Sequence, residues 1–219
     1  MKPLISNTIF KEKNKIYTEN PDECKNIKIY NEKLVKIKNK QYRSWNPYRS
    51  KLAAAILNGL DVDINQDFNV LYLGAATGTT VSHISDILKK GYIYAVENSA
   101  VSMKKLIKVS EKRKNIIPIY SDANHPSRYK SIVPSVDLIY QDISQRNQAE
   151  IFTNNIRFYL KENSNAIIMV KARSIDVSLK PKKAYEIISK KLKEKNFKII
   201  EQIDLEPYEK DHQAITITI

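Results

Sequence analysis

The sequence predicts an α/β fold: a doubly wound, mostly parallel Rossmann-like sheet with an antiparallel C-terminal hairpin, plus a small β-rich N-terminal domain. Three observations predict it. Apolar strand-like runs alternate with amphipathic helical stretches, one run stops at a glycine loop, and several others end in a charged residue. Such alternation is typical of a parallel sheet with helices on both faces. We assign residues 1–45 to the small domain and 46–219 to the main one.

Short stretches of alternating apolar and polar residues indicate antiparallel strands in the N-terminal domain. They lie at residues 8–10, 28–30 and 34–37. Asn46 and Pro47 then have the pattern of an N-cap followed by proline at the first helical position. We therefore expect a helix from there through Leu57, with Gly59 as its stop and the domain boundary near Trp45.

Five apolar runs in the main domain predict the strands of the sheet, at residues 70–73, 93–97, 116–122, 136–142 and 166–171. Apolar residues at helical spacing follow the first two runs, and a lysine-rich amphipathic helix is predicted around 184–192. Two more strands are predicted near 198–204 and 214–219, as an antiparallel hairpin at the sheet edge. Pro118 argues for an edge position, or a strand start, for the third run.

Two of the four glycines, Gly74 and Gly78, lie in one loop directly after the first of these strands. A strand, a glycine turn and a helix N-terminus together form the place where α/β sheets bind nucleotide-like ligands. A third glycine is missing, and Thr79 stands in the region where it is expected, so a dinucleotide pyrophosphate is not strongly indicated. The loop by itself is equally compatible with an ordinary strand–helix turn.

Charged residues at the ends of the later strands favour the ligand site. Glu97 follows Gly74 at close to the ~20-residue offset at which a carboxylate binds a ribose diol. Asp122 with Ala123 suits an adenine, and Asp142 suits an amino group, while Lys171 ends the fifth strand. An adenosine with a charged amino-acid tail fits this set, which indicates S-adenosylmethionine.

Composition bounds the partners and the compartment. Thirty-seven basic residues against 24 acidic ones give a net charge of +13, which favours a polyanion such as nucleic acid; solubility or a lysine-rich composition would also explain it. Cys24 is the only cysteine, which excludes an internal disulfide and indicates a reducing compartment. The apolar runs are far shorter than the ~20 residues of a membrane helix, and no signal-peptide pattern begins the chain. We expect a soluble, cytoplasmic protein without membrane association.

Seven motifs occur in order from about Trp45 to the C-terminus: WNPYRSKLAAAI, LGAATGTTVSHISDI, YAVE, IIPIYSDANHP, VDLIYQDISQ, VKARSID and LEPYEKDHQAI. In them the chain resembles the short archaeal form of fibrillarin. The resemblance implies an S-adenosylmethionine-dependent ribose 2′-O-methyltransferase that acts on pre-rRNA, and on tRNA, in a box C/D guide ribonucleoprotein. It also implies a box C/D guide RNA, a Nop-domain scaffold protein and a kink-turn-binding ribosomal-type protein as partners, and no metal.

The resemblance further implies a catalytic set of Lys51, Asp142, Lys171 and His212. Lys171 would contact the ribose hydroxyl, as a base or only as an orienter, and Asp142 would balance its ammonium group. Lys51 and His212 would shape the local field and bind the neighbouring phosphate or ribose. The implied cofactor residues are Gly74, Ala75, Thr77, Gly78, Thr79, Thr80, Glu97, Asn98, Asp122, Ala123, Asp142 and Gln145.

One departure concerns Asn98, which stands where the family usually has an aromatic residue to pack on the adenine. We expect weaker cofactor binding unless another side chain compensates. His83 and His125 are interpreted as structural. The candidates for an RNA-facing basic surface, with Arg173 the strongest single one, are Arg43, Arg49, Lys51, Arg146, Arg173 and Lys180. The alternative function is a non-catalytic RNA-binding assembly subunit; the charge disfavours a small-molecule methyltransferase.

Overall fold

The computed structural model describes residues 2–5 and 8–219 and contains two sheets. The N-terminal sheet is antiparallel throughout, with the strand order β1-β2-β3-β5-β4. Its strands are β1 (Lys2–Ile5), β2 (Ile9–Glu12), β3 (Lys15–Asn20), β4 (Leu34–Ile37) and β5 (Lys40–Trp45). The predicted β-rich N-terminal region is therefore present, and a β-strand covers two of its three predicted stretches.

The strand predicted at residues 28–30 is wrong, because this segment is a bend. The carboxylate of Glu32 accepts hydrogen bonds from the backbone amides of Ile29 and Tyr30 at 2.8–3.1 Å. These bonds take the donors that a neighbouring strand would use. An alternating pattern alone does not reveal such a local competitor.

The chain enters the main domain through two successive caps. Asn46 accepts a hydrogen bond from the amide of Tyr48 as predicted, but it begins only a short 3-10 turn, Pro47–Arg49. Ser50 is extended and caps a second start, so helix α1 covers Lys51–Leu57 and begins later than predicted. The Ser50 hydroxyl also bonds the Thr80 hydroxyl at 2.9 Å, which explains why the backbone turns at this residue.

The main sheet has seven strands in the order β11-β12-β10-β9-β6-β7-β8. They are β6 (Val70–Leu73), β7 (Ile93–Glu97), β8 (Ile116–Tyr120), β9 (Val136–Gln141), β10 (Leu160–Lys171), β11 (Lys198–Asp204) and β12 (His212–Thr218). The first five are parallel, and β12 pairs antiparallel with β10 and β11. The predicted parallel sheet with a C-terminal antiparallel hairpin is confirmed, and β8 is the edge strand that Pro118 indicated.

Helices cover both faces of this sheet. They are α2 (Thr79–Ile87), α3 (Ala100–Ser110), α4 (Gln148–Tyr159), α5 (Ala172–Ile175) and α6 (Pro181–Glu194). One buried core joins α1, α2 and α3 to Val70 and Tyr72, while a second joins α4 and α6 to Leu71 and Leu73. Successive residues of β6 thus enter opposite cores, as a strand buried on both faces requires.

A buried polar cluster joins the N-terminal sheet to α2. Arg43 is fully buried and its guanidinium pairs with Glu32 at 2.7 Å and with Asp86 at 2.6 Å. The prediction that Arg43 faces RNA is therefore wrong, because its charge is neutralised inside the protein. His83 of α2 stacks on Trp45 and hydrogen-bonds Thr18 at 2.7 Å, which agrees with a structural role.

Within residues 2–5 and 8–219, no helix is both long and apolar enough to cross a lipid bilayer. Cys24 is buried and unoxidised, and its thiol donates to the backbone carbonyl of Lys112 at 3.2 Å.

Candidate active site

The carboxyl ends of the parallel strands bring most of the predicted site residues to one edge of the sheet. Leu73 is in register with Val96 on one side and with Gln141 on the other. The residues that follow, Gly74, Glu97 and Asp142, therefore emerge side by side. This edge is where an open α/β sheet binds its ligands.

The glycine loop requires its two glycines for different reasons. Gly74 has φ +82°, and a Cβ there would collide with the carbonyl oxygen of Asp142. Gly78 has φ +88° at the N-cap of α2, and a Cβ there would lie 3.0 Å from the Leu106 side chain. The amides of Gly74 and Ala75 both donate to the carbonyl of Val96 at 3.0 Å. The loop is thus drawn tightly over the strand ends.

Glu97 holds this loop in place through hydrogen bonds to backbone amides. Its buried carboxylate accepts hydrogen bonds from the amides of Ala76 and Ser99, both at 2.7 Å. Each carboxylate oxygen accepts one of these bonds and keeps a second lone pair. The residue predicted to bind a ribose diol therefore also orders the loop that surrounds it.

A side-chain network organises the end of β8. Asn124 donates from its amide and from Nδ2 to Oδ1 of Asp122, both at 2.9 Å, and from Nδ2 to Oε1 of Gln145 at 3.0 Å. The bond from the Asn124 amide is the main reason that the pKa of Asp122 is lowered. Sequence reasoning missed Asn124, although an asparagine two residues after an aspartate is a recognisable turn signal.

Two clefts meet at Gly74. One, of about 40 Å³, is lined by Glu97, Asn98, Asp122, Ala123 and Gln145, together with Val96, Ser121 and Ile143. The other, of about 350 Å³, is lined by Ala75, Thr77, Thr79, Thr80 and Asp142, together with Tyr48, Arg49, Tyr72 and Ala76. Every predicted cofactor residue lines one of these clefts except Gly78, which begins α2. The structure thus brings all of the predicted cofactor residues except Gly78 to these two clefts.

Asp142, which is predicted to be catalytic, has a different partner from the expected one. Nζ of Lys51, the first residue of α1, lies 2.7 Å and 3.0 Å from the two carboxylate oxygens of Asp142. Both side chains are mostly buried, at 18% and 19% exposed. Within the described chain no carboxylate pairs with Lys171 at 4.0 Å or less. The expectation that Asp142 balances Lys171 is corrected, since it balances Lys51.

Lys171 and His212 are direct neighbours on antiparallel strands. The backbone carbonyl of Lys210 lies 2.7 Å from Nδ1 of His212, so Nδ1 carries the proton and Nε2 is an acceptor. Nε2 is buried without a hydrogen-bond partner among the described residues. Burial, assisted by the positive charge of Lys51, lowers the pKa of His212. The lowered pKa favours the neutral imidazole, in which Nε2 has a free lone pair.

The remaining basic candidates differ in what they offer. Arg146, Arg173 and Lys180 are exposed, although Arg173 also pairs with Asp211 at 2.9 Å. Arg49 is exposed and lies 5.2 Å over the ring of Tyr30. Lys51 is engaged with Asp142, which lines the larger cleft. Over the part of the chain that is described, no three histidine, cysteine or acidic side chains cluster as a metal site.

Comparison with known proteins is consistent with this geometry. A sequence model of the Fibrillarin family matches residues 5–219. A fibrillarin-like rRNA/tRNA 2′-O-methyltransferase of Methanocaldococcus jannaschii is 48% identical over 189 residues, which cover 86% of this chain and 82% of that protein.

Two solved structures share the fold closely. Aeropyrum pernix fibrillarin, solved with natively bound S-adenosyl-L-methionine, has a TM-score of 0.86 at 39% identity, over 93% of this chain and 89% of that one. A fibrillarin from a fibrillarin/Nop5p complex has a TM-score of 0.91 at 44% identity, over 99% of each chain.

Proposed function

Since this chain belongs to the fibrillarin family, we propose that it transfers a methyl group from S-adenosylmethionine to a ribose 2′-hydroxyl of RNA. The observation that carries the proposal is the meeting of two clefts at Gly74. One is lined by the predicted adenosine-binding residues at the ends of β7 and β8, and the other by the rest of the glycine loop and by the Asp142 that pairs with Lys51. A donor and an acceptor can thus be held at one edge of the sheet.

The residues present fit S-adenosylmethionine, which supplies a methyl group made electrophilic by its sulfonium. All described contacts to Asp122 from Asn124 go to Oδ1, so Oδ2 is available to an adenine amino group. Glu97 retains lone pairs for a ribose diol. A Cβ at Gly74 would collide with the carbonyl oxygen of Asp142, so only glycine lets the loop lie this close to the strand ends where the ligand binds. Gln145, Thr77 and Thr79 complete the proposed set.

The proposed catalytic residues act on the acceptor. A ribose hydroxyl is a weak nucleophile at neutral pH, so it must be oriented and must lose its proton during transfer. Lys171, whose ammonium has no carboxylate partner in the described chain, contacts the hydroxyl. Asp142 and Lys51 fix the polar wall beside it, and His212, the neighbour of Lys171 on the paired strand, shapes the local field.

We further propose the partners that the family implies. The relative in the fibrillarin/Nop5p complex supports a Nop-domain scaffold protein. The +13 charge and the exposed Arg146, Arg173 and Lys180 support contact with a box C/D guide RNA and with rRNA and tRNA targets in the cytoplasm. A kink-turn-binding protein would complete the particle. Guide pairing would select the sequence, so this chain need contact only sugar and phosphate. Residues 1–45 and 46–219 are its two proposed domains.

The test is reconstitution with a guide RNA, a Nop-domain protein and a kink-turn-binding protein, followed by mapping of 2′-O-methyl groups on a matched target. We expect one methyl group, at the guided nucleotide, and none with a mismatched guide. Assembly without transfer, together with no binding of S-adenosylmethionine, would instead support the non-catalytic assembly subunit. Transfer to a free metabolite would contradict both readings.

A further inference from the structure

The ring of Tyr48 stands at the mouth of the larger cleft, which Asp142 and the glycine loop also line. It is 65% exposed. Among the described residues, Tyr48 forms a hydrogen bond only through its backbone amide, so its hydroxyl is available to a ligand. A single exposed aromatic residue is ordinary, but Tyr48 is held in place by its neighbours.

Both the backbone and the ring of Tyr48 are held by neighbouring residues. Its amide donates to Oδ1 of Asn46 at 2.9 Å, and Ser50, two residues later, bonds Thr80 at the start of α2. Its ring meets that of Tyr208 edge to face, with centroids 5.3 Å apart at 73°. Whether the edge or a face of the Tyr48 ring meets Tyr208, at least one face of the Tyr48 ring stays free.

The same contacts link Tyr48 to two proposed catalytic residues. Tyr48 lies one turn before Lys51, while its contact Tyr208 lies four residues before His212. The loop that carries Tyr208 is held by Nδ2 of Asn58, which donates to the carbonyls of Asp204 and Glu206, both at 2.7 Å. Tyr48 is therefore tied to the segments that carry Lys51 and His212.

The chemistry of the acceptor indicates what the ring contacts, an inference that rests on the proposed function. The 2′-hydroxyls of an A-form guide–target duplex lie along its wide, shallow minor groove. The nucleotide beside the acceptor presents a second 2′-hydroxyl in the same groove. A tyrosine hydroxyl both donates and accepts hydrogen bonds, and the exposed Arg49 beside it suits a phosphate.

We propose that Tyr48 binds the ribose next to the methylated nucleotide. Its hydroxyl bonds the 2′-hydroxyl of that neighbour, and its free face packs on the sugar. Tyr48 would thereby set how the duplex sits over Asp142, and it would act on binding of the target without contacting the methyl donor.

The test combines a protein variant with altered target RNAs in the reconstituted particle. Tyr48→Phe should raise KM about three- to tenfold, as expected for one lost hydrogen bond, with kcat little changed. A target with 2′-deoxyribose at one neighbour of the acceptor should show the same rise in KM. The protein variant and this target together should raise KM no more than either change alone. Tyr48→Ala should raise KM further, because ring packing is also lost.

Tyr92→Phe is the matched control. Tyr92 is also exposed, at 46%. It directly precedes β7, at the amino ends of the parallel strands and away from the clefts at their carboxyl ends, so Tyr92→Phe should leave KM unchanged. Binding of S-adenosylmethionine by calorimetry should be equal in all variants. A normal KM for Tyr48→Phe would overturn the inference. So would increases in KM from Tyr48→Phe and from the 2′-deoxyribose target that multiply when combined, whichever neighbour of the acceptor carries the deoxyribose. No transfer by the wild-type particle would overturn the proposed function, and the inference with it.

Discussion

Replacing Gly74 with alanine tests the geometry at the centre of the site. Two costs add at this position. The positive φ of +82° costs an L-residue about 1–2 kcal/mol. The new Cβ would also overlap the Asp142 carbonyl oxygen and lie 2.9 Å from Cγ1 of Ile143, and overpacking of this kind costs about 1–3 kcal/mol. We therefore expect the free energy of unfolding to fall by about 2–5 kcal/mol.

Gly59→Ala separates the two costs. Gly59 also has a positive φ, of +105°, but a Cβ there would have no atom within 4 Å. It should lose only the backbone share, about 1–2 kcal/mol. Urea unfolding of both variants measures the difference, which isolates the collision with Asp142. The atom that gives way at Gly74 is backbone, so the strain must displace either the glycine loop or the end of β9.

The two variants should differ more in binding of S-adenosylmethionine than in stability. Gly74 lines both clefts, so Gly74→Ala should lose binding of S-adenosylmethionine by calorimetry, while Gly59→Ala should bind normally. Equal losses of stability at both positions, with unimpaired binding by Gly74→Ala, would refute the close approach of the loop to Asp142.

Five further variants probe other parts of the molecule. Lys171→Ala should fold and bind S-adenosylmethionine but transfer no methyl group, whereas Asp142→Ala should lose both because it releases Lys51 and opens the cleft wall; near-normal turnover of either on a guided target contradicts the assigned roles. Arg43→Met removes a buried guanidinium from between Glu32 and Asp86 and should cost about 3–5 kcal/mol in urea unfolding; a loss below 1 kcal/mol would show that the cluster contributes little. Burial, with the charges of Arg43 and Arg113, holds the pKa of His83 well below its ordinary 6.5, so below about pH 6.5 only the unfolded chain gains this proton. As the pH is lowered from there, the free energy of unfolding should decrease by up to about 1.4 kcal/mol per pH unit. His83→Gln should flatten that slope, and an unchanged slope would assign it to other groups. Asn98→Phe adds an aromatic face beside Asp122 in the smaller cleft and should tighten S-adenosylmethionine binding about two- to tenfold; an unchanged Kd would mean that another group already covers the adenine.

The main sheet was predictable because its strands carry their own boundaries. Each parallel strand is a short apolar run that stops at a glycine, an acid or a lysine, and burial on both faces removes any need for alternation. Pro118 lacks an amide hydrogen and so indicated the edge strand. The predicted site residues converge for the same reason, since parallel strands deliver their ends to one edge.

Helix α4 was not predicted, because its buried side is partly polar. Gln148 and Asn155 are fully buried and break the apolar spacing that marks a helix. Their partners come from distant segments: Asn155 donates to the carbonyl of Ala123 at 2.9 Å and accepts from the Tyr129 hydroxyl, while Gln148 contacts the peptide of Lys171. Local pattern carries no information about such partners.

The pairing of Asp142 with Lys51 escaped prediction for a related reason, and it changes how the site works. Motifs identify both residues, but only the fold reveals which lysine lies beside the carboxylate. Lys51 begins α1, and the cap of that helix, Ser50, bonds Thr80 at the start of α2. The backbone carbonyl of Asp142 in turn packs against Gly74, where it would collide with a Cβ. A shift of the glycine loop must therefore move the start of α1 and the end of β9 together. We therefore expect donor binding and orientation of the acceptor to be coupled through this short helix, and variants at Ser50 or Thr80 to alter both.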